Sequence, residues 1–311
     1  MRILVVGAGG VGGYFGGRLL AAGRDVHFLV RPARAELLAR TGLVVRSPHG
    51  DLLLASPPTA TAETPQPPAD VVLLSCKAYD LQSAMEAVAP SVGPESVIVP
   101  LLNGMQHLDR LDSRFGADRV LGGWCGISAV LGPEGQVLHL NRVHELVFGE
   151  RSGTLTPRIA AIEAAFANAG FDARRSDEIL QEMWEKWTLI ATGAGATCLL
   201  RGTIGDIVSA AATDVVTTLL DECAAIAETN GYPPSEKALK RILGFFTTPG
   251  SSLTASMFRD IEAHARVEAD HIIGDLIARG GDAKASPLLG VVHAHLRTYE
   301  ARRIRESAVP A

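Results

Sequence analysis

Cysteine is scarce in this sequence, and its spacing excludes two common uses of the residue. Four cysteines are spread through 311 residues with no CxxC pair, and they are Cys76, Cys125, Cys198 and Cys223. This spacing supports neither a zinc site nor a disulfide framework, so we expect buried thiols. The sequence also shows no signal-peptide pattern, because the short apolar run near its start leads directly into glycines. We therefore expect a cytoplasmic protein.

An excess of basic charge is absent as well. Lysine and arginine number 29 against 34 aspartates and glutamates, which gives a net charge of -5 and a pI near 6.0. Such a balance provides no positive field for nucleic acid or membrane headgroups, so a small molecule is the expected partner. A hydrophobic content of 47% over this length supplies material for two hydrophobic cores.

The strongest pattern lies at the start of the sequence. Ile3 to Val6 is an apolar run typical of a strand buried on both faces, and the next residues match the dinucleotide fingerprint GxGxxG. Gly7 permits the tight turn, Gly9 and Gly10 let the backbone approach a pyrophosphate, and Gly12 allows close packing of helix on strand. A glycine-rich turn that binds nothing is the alternative. The position between a strand and a helical run favours a cofactor site.

Arg31 follows the second predicted strand, Asp25 to Val30, and this position selects the cofactor. An acid there holds the ribose 2′-hydroxyl of NAD, whereas an arginine suits the 2′-phosphate of NADP. Arg34 follows, and no acid occurs before Glu36. An arginine exposed at the surface without a ligand is the alternative. The location favours NADPH.

Two polar residues stand just beyond the next buried strands. Lys77 follows the strand predicted over Asp70 to Ser75, and Asn103 follows the strand predicted over Ser96 to Leu102. Open α/β sheets bind their ligands at the carboxyl ends of the strands, so both side chains are candidates for cofactor contacts. The alternatives are an exposed lysine and a plain Asn-Gly turn.

The order of the predicted elements indicates an α/β fold in two domains. We expect a Rossmann-type doubly wound sheet over residues 1-177 to bind the cofactor, and an all-helical domain to follow over residues 178-311. Residues 122-149 form a predicted hairpin of antiparallel edge strands in the first domain. In the second domain we expect long helices over residues 207-230 and 253-279.

In the helical half, residue spacing alone identifies no catalytic or metal-binding residue. Lys186 lies off the apolar stripe of its helix and looks like a solvated lysine, while Gly193 and Gly195 farther along indicate close packing or a break. One stripe of the last predicted helix could hold a metal, but a long, partly exposed helix produces such stripes by chance. We therefore expect no metal. The stripe consists of Met257, His264, Glu268, His271 and Asp275.

Over nearly its full length the chain resembles the ketopantoate reductase family, which reduces 2-dehydropantoate to pantoate with NADPH. The resemblance rests on several separated motifs that occur in the same order. They are Gly7-x-Gly9-x-x-Gly12, Arg31 after the second strand, Lys77 in Ser-Cys-Lys-Ala-Tyr-Asp, Asn103-Gly104, Trp184-x-Lys186, and Ser256-Met-x-x-Asp260 followed by Glu268.

The resemblance implies roles for individual residues. Lys186 would protonate the carbonyl oxygen as hydride arrives, and Glu268 would position the substrate and this lysine. Asn103 and Lys77 would lie near the nicotinamide ribose, with Asn103 also near the substrate, and Ser256 would contact the substrate carboxylate. A proton-donating cation is also what hydride addition to a ketone requires, because negative charge develops on the oxygen.

The chain departs from the family at two substrate-binding positions. The family often carries asparagines where this sequence has Ile190 and Ala194, and those asparagines hold polar groups of pantoate. The substrate is therefore either ketopantoate, which places the enzyme in pantothenate biosynthesis, or another 2-oxo acid. A related 2-hydroxy acid dehydrogenase and a nucleotide-sensing protein without turnover are the other hypotheses. The apolar helical half could supply a homodimer interface.

Overall fold

A computed structural model describes residues 1-64, 66-281 and 286-307. The chain divides into two compact units, which we describe separately. Unit 1 contains Met1–Leu102 and His107–Ile179, and unit 2 contains Asn103–Gln106 and the chain from Leu180 onward. The sequence-based boundary at residue 177 lies close to this division. It did not anticipate that the segment Asn103–Gln106 groups with the helical unit.

The strands and helices of the described residues are numbered in chain order. The strands are β1 (Arg2–Val6), β2 (Asp25–Leu29), β3 (Leu43–Arg46), β4 (Leu52–Leu54), β5 (Thr59–Ala60), β6 (Ala69–Leu74), β7 (Val92–Pro100), β8 (Gly122–Leu131), β9 (Val137–Gly149) and β10 (Asp172–Arg175). The α-helices are α1 (Gly10–Ala21), α2 (Pro32–Thr41), α3 (Leu81–Val88), α4 (Gln106–Phe115), α5 (Pro157–Phe166), α6 (Ile179–Leu200), α7 (Ile204–Ser209), α8 (Thr213–Thr229), α9 (Glu236–Phe246), α10 (Ser256–Glu262), α11 (Asp275–Arg279) and α12 (Pro287–Ser307). Short 3₁₀ turns cover Ala78–Asp80, Ala89–Ser91 and Ala117–Arg119, and a π turn covers Asp270–Gly274.

A parallel sheet confirms the Rossmann-type fold of unit 1. Its strand order is β5-β2-β1-β6-β7, with every neighbouring pair parallel. Apolar residues of β1 are buried on both faces, and Ile3 pairs with Val26 on one side and with Val71 on the other. The chain leaves β1 toward β2 and later returns to β6 on the opposite side. The carboxyl ends of these three strands therefore lie side by side, where such sheets bind ligands.

The predicted antiparallel hairpin over residues 122-149 exists, but it belongs to a second sheet in which β9 is not an edge strand. Strands β8 and β9 belong to a second sheet with the order β10-β9-β3-β4, in which β8 pairs with β9. Strand β9 is central because its first residues pair with β3 and its last residues with β10. Pairs such as Val45 with Val137 join residues distant in sequence, so local alternation could not reveal this sheet.

Helix α1 packs against both sheets of unit 1. A Cβ atom on Gly16 would lie 2.6 Å from Phe28 in β2, and one on Gly13 would lie 2.7 Å from Val137 in β9. The absence of side chains at these positions lets the helix approach both surfaces closely. The glycines after the fingerprint therefore serve packing between the two sheets.

The long helix predicted over residues 207-230 is broken into α7 and α8. Helix α7 begins with a capping box in which Thr203 and Asp206 satisfy each other's backbone amides. It ends near Ala211, which has a φ of 53°. A left-handed alanine interrupts the helical hydrogen bonds, and α8 begins two residues later at Thr213. The apolar pattern, which continues across the break, did not show it.

The prediction of one continuous helix over residues 253-279 is also wrong. Helix α10 ends at Glu262, and His264 has a φ of 53°. Helix α12 then holds the following loop, because Tyr299 Oη donates to the Ala265 carbonyl at 2.8 Å and a Glu300 oxygen accepts from the Val267 amide at 2.8 Å. These hydrogen bonds replace the ones that a continuous helix would form. The five residues considered as a possible metal site, Met257 to Asp275, therefore do not lie on one helical face. Within the described residues, no cluster of histidine, cysteine and acidic side chains could hold a metal ion.

Helix α6 is continuous through both of its glycines. A Cβ on Gly193 would lie 2.6 Å from the Phe246 ring, and one on Gly195 would lie 3.0 Å from Leu219. Of the two alternatives given for these glycines, close packing is therefore correct. Across the described ranges, none of the helices combines the length and the apolarity needed to cross a membrane.

The cysteines behave largely as expected from their spacing. All four lie within the described residues and outside any disulfide, and all but the half-buried Cys76 are buried. Burial raises the pKa of the Cys198 thiol and of the Cys223 thiol to about 12. These two thiols are therefore protonated and unreactive at neutral pH.

Candidate active site

The fingerprint turn of unit 1 has the backbone shape that its glycines predict. Gly7 has a φ of 94°, which favours glycine, and its amide donates to the Leu29 carbonyl at 2.9 Å. Gly9 is the N-cap of α1, so the amides at the start of this helix follow the turn directly. Such an amino terminus attracts anions through its free amides and its dipole.

The fit to a dinucleotide can be tested at Gly9 and Gly12. A Cβ on Gly12 would lie 2.1 Å from the Gly7 carbonyl oxygen and 2.2 Å from Ser75 Oγ, so a side chain there would displace the turn. A Cβ on Gly9 would meet nothing within 4 Å, which leaves its surface open to a ligand. The turn is thus tightly packed on one side and accessible on the other, as a pyrophosphate site requires.

Two features of this turn could not be predicted from the sequence. Ser75 Oγ donates to the Val6 carbonyl at 2.9 Å and so ties the carboxyl ends of β1 and β6 together. Close packing against β8 requires a glycine at position 10, because a Cβ on Gly10 would lie 2.4 Å from the Ala129 carbonyl oxygen. The cofactor contact expected at Gly10 stays a prediction that concerns only its backbone.

Arg31 is paired with an acid that the sequence did not single out. It is the N-cap of α2, and its Nη2 donates to Asp80 Oδ1 at 2.7 Å. The side chain of Arg31 is 73% exposed and that of Asp80 is 34% exposed. Because β2 and β6 flank β1, this ion pair joins the segments that follow the strands on either side of β1. An opposite charge shortly after β6 was the available sequence signal.

Arg34 has a different position from Arg31. Its Nε and Nη2 donate to the Ala8 carbonyl at 3.1 and 2.8 Å, and its Nη1 donates to the Gly135 carbonyl at 2.8 Å. Burial lowers the pKa of this guanidinium, which nevertheless remains charged at neutral pH. Arg34 therefore braces the fingerprint turn against the hairpin and is committed to backbone carbonyls.

Lys77 lies at the predicted carboxyl edge. This half-buried residue is the N-cap of the 3₁₀ turn Ala78–Asp80, and its carbonyl accepts from the Asp80 amide at 2.9 Å. The same short turn thus carries Lys77 at its start and the partner of Arg31 at its end. Contact of Lys77 with a cofactor stays a prediction.

In unit 2, Lys186 lies on α6 between two buried tryptophans. Trp184 stacks on Tyr232 with ring centroids 5.8 Å apart, and Trp187 Nε1 donates to the Ile272 carbonyl at 2.9 Å. These contacts fix the rotation of the helix and therefore the direction of its other face. Lys186 itself is half-buried.

The π turn Asp270–Gly274 connects α6 with the Asn103 segment of the same unit. Its His271 contacts the Asn103 carbonyl at 2.7 Å through Nε2, and because a carbonyl can only accept, Nε2 carries the proton. The next residue, Ile272, accepts from Trp187 beside Lys186. A single turn of backbone therefore anchors two of the predicted site segments. His271 was considered only as part of a metal stripe, and its anchoring contact is visible only in three dimensions.

Glu268 lies two residues before the start of this π turn. Its carbonyl accepts from the Ile272 amide at 2.9 Å, and the residue is only 8% exposed. The preceding loop is held by Tyr299 and Glu300 of α12, as described for the fold. The backbone around Glu268 is thus fixed from both sides, which is the support that a positioning carboxylate requires.

The three remaining predicted substrate residues differ in accessibility. Ser256 is exposed at the start of α10, Ile190 is half-buried, and Ala194 is only 1% exposed. The Ala255 amide donates to Thr197 Oγ1 at 3.4 Å, which places the start of α10 beside α6. Ile190 is therefore the more accessible of the two apolar replacements. Substrate contact by Ser256, Ile190 and Ala194 stays a prediction.

Comparison with known proteins gives the family of the whole chain. The description "Ketopantoate reductase PanE/ApbA" matches residues 3–153, and "Ketopantoate reductase PanE/ApbA C terminal" matches residues 178–300. Both halves defined by the sequence motifs are therefore matched.

Individual relatives agree over nearly the full length. The chain is 39% identical over 305 residues to "Uncharacterized oxidoreductase YkpB" of Bacillus subtilis, covering 97% of this chain and 100% of that protein. It is 28% identical over 287 residues to 2-dehydropantoate 2-reductase of Halobacterium salinarum, covering 91% and 93%. The crystal structure of 2-dehydropantoate 2-reductase from Geobacter metallireducens matches with a TM-score of 0.86 at 30% identity, covering 96% and 99%. The chain belongs to the ketopantoate reductase family of oxidoreductases.

Proposed function

We propose that this protein reduces a 2-oxo acid to a 2-hydroxy acid with NADPH, in a reaction of the 2-dehydropantoate 2-reductase type. The observation that carries the proposal is the arrangement around the π turn Asp270–Gly274. This turn anchors Asn103 through His271 and anchors the helix of Lys186 through Trp187, and it begins two residues after Glu268. Three residues with proposed roles in one reaction thus share one rigid support.

The fingerprint turn of unit 1 suits the dinucleotide. Gly9 leaves its backbone open, and Gly12 keeps α1 close to the turn so that the first helical amides face the pyrophosphate. Arg31 would hold the 2′-phosphate through charge-assisted hydrogen bonds. When bound, NADPH supplies the hydride for the reduction.

Lys186 is the proposed general acid. Addition of hydride to the carbonyl carbon places negative charge on the oxygen, and the lysine ammonium both stabilises this charge and supplies the proton. Glu268 would hold Lys186 and the substrate in position. Asn103 would contact the cofactor ribose and the substrate, and Ser256 would donate a hydrogen bond to the substrate carboxylate.

The substrate class is a 2-oxo acid whose tail meets an apolar surface. Ile190 is half-buried on α6 and cannot form hydrogen bonds to a hydroxylated tail. This favours a branched apolar 2-oxo acid over ketopantoate. If ketopantoate is nevertheless the substrate, the enzyme belongs to pantothenate biosynthesis.

A panel of 2-oxo acids tests the proposed function. Consumption of NADPH is followed by absorbance with ketopantoate, 2-oxo-3-methylbutanoate and 2-oxo acids with larger tails, and the matching 2-hydroxy acids are assayed with NADP in the reverse direction. We expect turnover of at least one 2-oxo acid and none with simple ketones that lack the carboxylate. A chain that binds NADPH but reduces no member of the panel would contradict the proposed activity and favour a nucleotide sensor.

A further inference from the structure

The arginine proposed to select NADPH has an acidic partner in this protein. Arg31 follows β2, Asp80 follows β6, and the two side chains meet at 2.7 Å beside the carboxyl end of β1. Arg34, the next arginine after β2, has its guanidinium bonded to the carbonyls of Ala8 and Gly135. Arg31 is therefore the arginine of this pair whose guanidinium is exposed, and it pairs with the half-buried Asp80.

We propose that Asp80 competes with the cofactor 2′-phosphate for Arg31 and thereby weakens the preference for NADPH over NADH. The inference rests on the proposed function, in which Arg31 meets that phosphate. It adds a residue that determines cofactor specificity to a site whose glycines and arginine were already visible in the sequence.

The chemistry of the guanidinium explains the competition. Arginine recognises phosphate through a planar fork of donors, and Asp80 already occupies one arm of this fork. A phosphate monoester carries about -1.5 to -2 charges at neutral pH, so a neighbouring carboxylate also repels it. The 2′-hydroxyl of NADH carries no charge and experiences neither effect.

The exposure of the pair determines how strong this effect can be. An ion pair with side chains 73% and 34% exposed is weak and exchanges readily with an incoming phosphate. Asp80 therefore reduces the preference for NADPH by a modest factor and does not abolish binding. Salt screens exposed charges, so the effect should be largest at low ionic strength.

The test is Asp80→Asn, which keeps the side-chain size and removes the charge. Calorimetric titration at low salt gives the dissociation constants of NADPH and NADH for the wild type and the variant. We expect the ratio of the two dissociation constants to shift about three- to tenfold in favour of NADPH in the variant, almost entirely through tighter binding of NADPH. The matched control is Asp51→Asn, because Asp51 forms a similar exposed pair with Arg46 at 2.6 Å on the β3–β4 turn, and it should change neither constant.

A second background tests whether the effect passes through Arg31. In Arg31→Ala, adding Asp80→Asn should change the ratio of the two dissociation constants by less than about twofold. The proposal is overturned if Asp80→Asn shifts that ratio by less than about threefold, if it weakens NADPH, or if the full shift persists without Arg31. These failures leave the proposed function intact. A wild-type protein that binds neither nucleotide would instead contradict the proposed function.

Discussion

Lys186 depends on its neighbours for its orientation. Long lysine side chains are flexible, but the backbone beneath Lys186 is immobilised by Trp184 and Trp187, which are buried and tilted against each other at 5.0 Å between ring centroids. The bond from Trp187 to Ile272 adds a fixed point directly beside it. A proton donor held on such a support loses less entropy when it reaches the substrate.

The first prediction concerns this lysine. Lys186→Ala removes the proposed proton donor and its positive charge, so kcat on the best 2-oxo acid should fall by about 10²–10⁴-fold while the dissociation constant of NADPH stays nearly unchanged. The control is Lys240→Ala, because Lys240 is 80% exposed and pairs with Glu236 on α9. A loss of activity below about threefold in Lys186→Ala would exclude a role as general acid.

The second prediction concerns the tail of the substrate. A buried hydroxyl without a partner costs about 1–3 kcal/mol, so kcat/KM for 2-oxo-3-methylbutanoate should exceed that for ketopantoate by about 5- to 150-fold. Two threonines of α6, Thr192 and Thr197, are fully buried, so we expect neither hydroxyl to reach a substrate tail. Thr197 Oγ1 donates to the Gly193 carbonyl at 2.7 Å and accepts from the Ala255 amide, while Thr192 lies beside the buried Cys223 thiol.

Ile190→Asn provides the complementary measurement. Restoring an amide at this accessible position should raise kcat/KM for ketopantoate relative to 2-oxo-3-methylbutanoate. Ala194→Asn is a poor choice by comparison, because Ala194 is nearly fully buried and a larger side chain would disturb the packing. If the wild type prefers ketopantoate by about tenfold or more, the apolar replacements do not determine specificity.

At the scale of elements, helices of unit 2 depend on contacts from other helices at their ends. Helix α12 begins with Pro287, and the following amides of Leu288 and Leu289 donate to the two carboxylate oxygens of Glu222 at 3.0 and 2.8 Å. Glu222 lies on α8 and is buried. A carboxylate from a distant helix thus performs the role of an N-cap and also interacts favourably with the helix dipole.

The third prediction follows from this cap. Glu222→Ala leaves two helical amides without acceptors, which should cost about 2 kcal/mol and accelerate hydrogen exchange of Leu288 and Leu289 by about 30-fold. Glu222→Gln retains one acceptor oxygen and should have a smaller effect. Glu306→Ala, in the exposed last turn of α12, is the control and should leave these amides unchanged. Equal exchange rates in Glu222→Ala and wild type would show that the cap does not stabilise α12.

At the scale of the whole molecule, stability should depend on pH through a histidine cluster in unit 1. The rings of His49 and His144 stack with centroids 3.7 Å apart, and His139 lies 6.1 Å from His144. Tyr14 Oη forms a hydrogen bond with His144 Nδ1 at 2.7 Å. Burial lowers the pKa of His144, the charges of His49, His139 and Arg18 lower it further, and Asp172 opposes them.

The fourth prediction states the direction of this dependence. The folded protein disfavours the proton on His144, so the unfolded state binds more protons as the pH falls below 6.5, the ordinary histidine pKa. The contribution of His144 to the free energy of unfolding is present above pH 6.5. It is lost as the pH falls through the lowered pKa of the folded state. The free energy of unfolding, measured by urea titration, should therefore decrease from pH 7 to pH 5.

A variant separates this contribution from the general effect of acid. His144→Gln keeps a polar partner for Tyr14 but cannot titrate, so the slope of unfolding free energy against pH should become shallower. A slope in His144→Gln equal to that of the wild type would exclude His144 as a source of the pH dependence.

Several features could be read from the sequence because they depend on neighbouring residues. The buried strand Ile3 to Val6, the glycines after it and the position of Arg31 follow from periodicity and from local backbone geometry. The family was visible because its motifs keep their order along the chain. For Lys186 the two sources differed. Its position off the apolar stripe of its helix indicated a solvated lysine, and only the family resemblance suggested a catalytic role.

Other features were decided only by the tertiary structure, because they depend on hydrogen bonds between segments distant in the chain. The second sheet requires β9 to pair with β3, and the break after α10 is stabilised by side chains of α12. The same holds for Asp80 beside Arg31 and for His271 beneath Asn103. A local pattern specifies which segments form strands and helices, but the partner of a polar group depends on which segments the fold brings within about 3 Å of it.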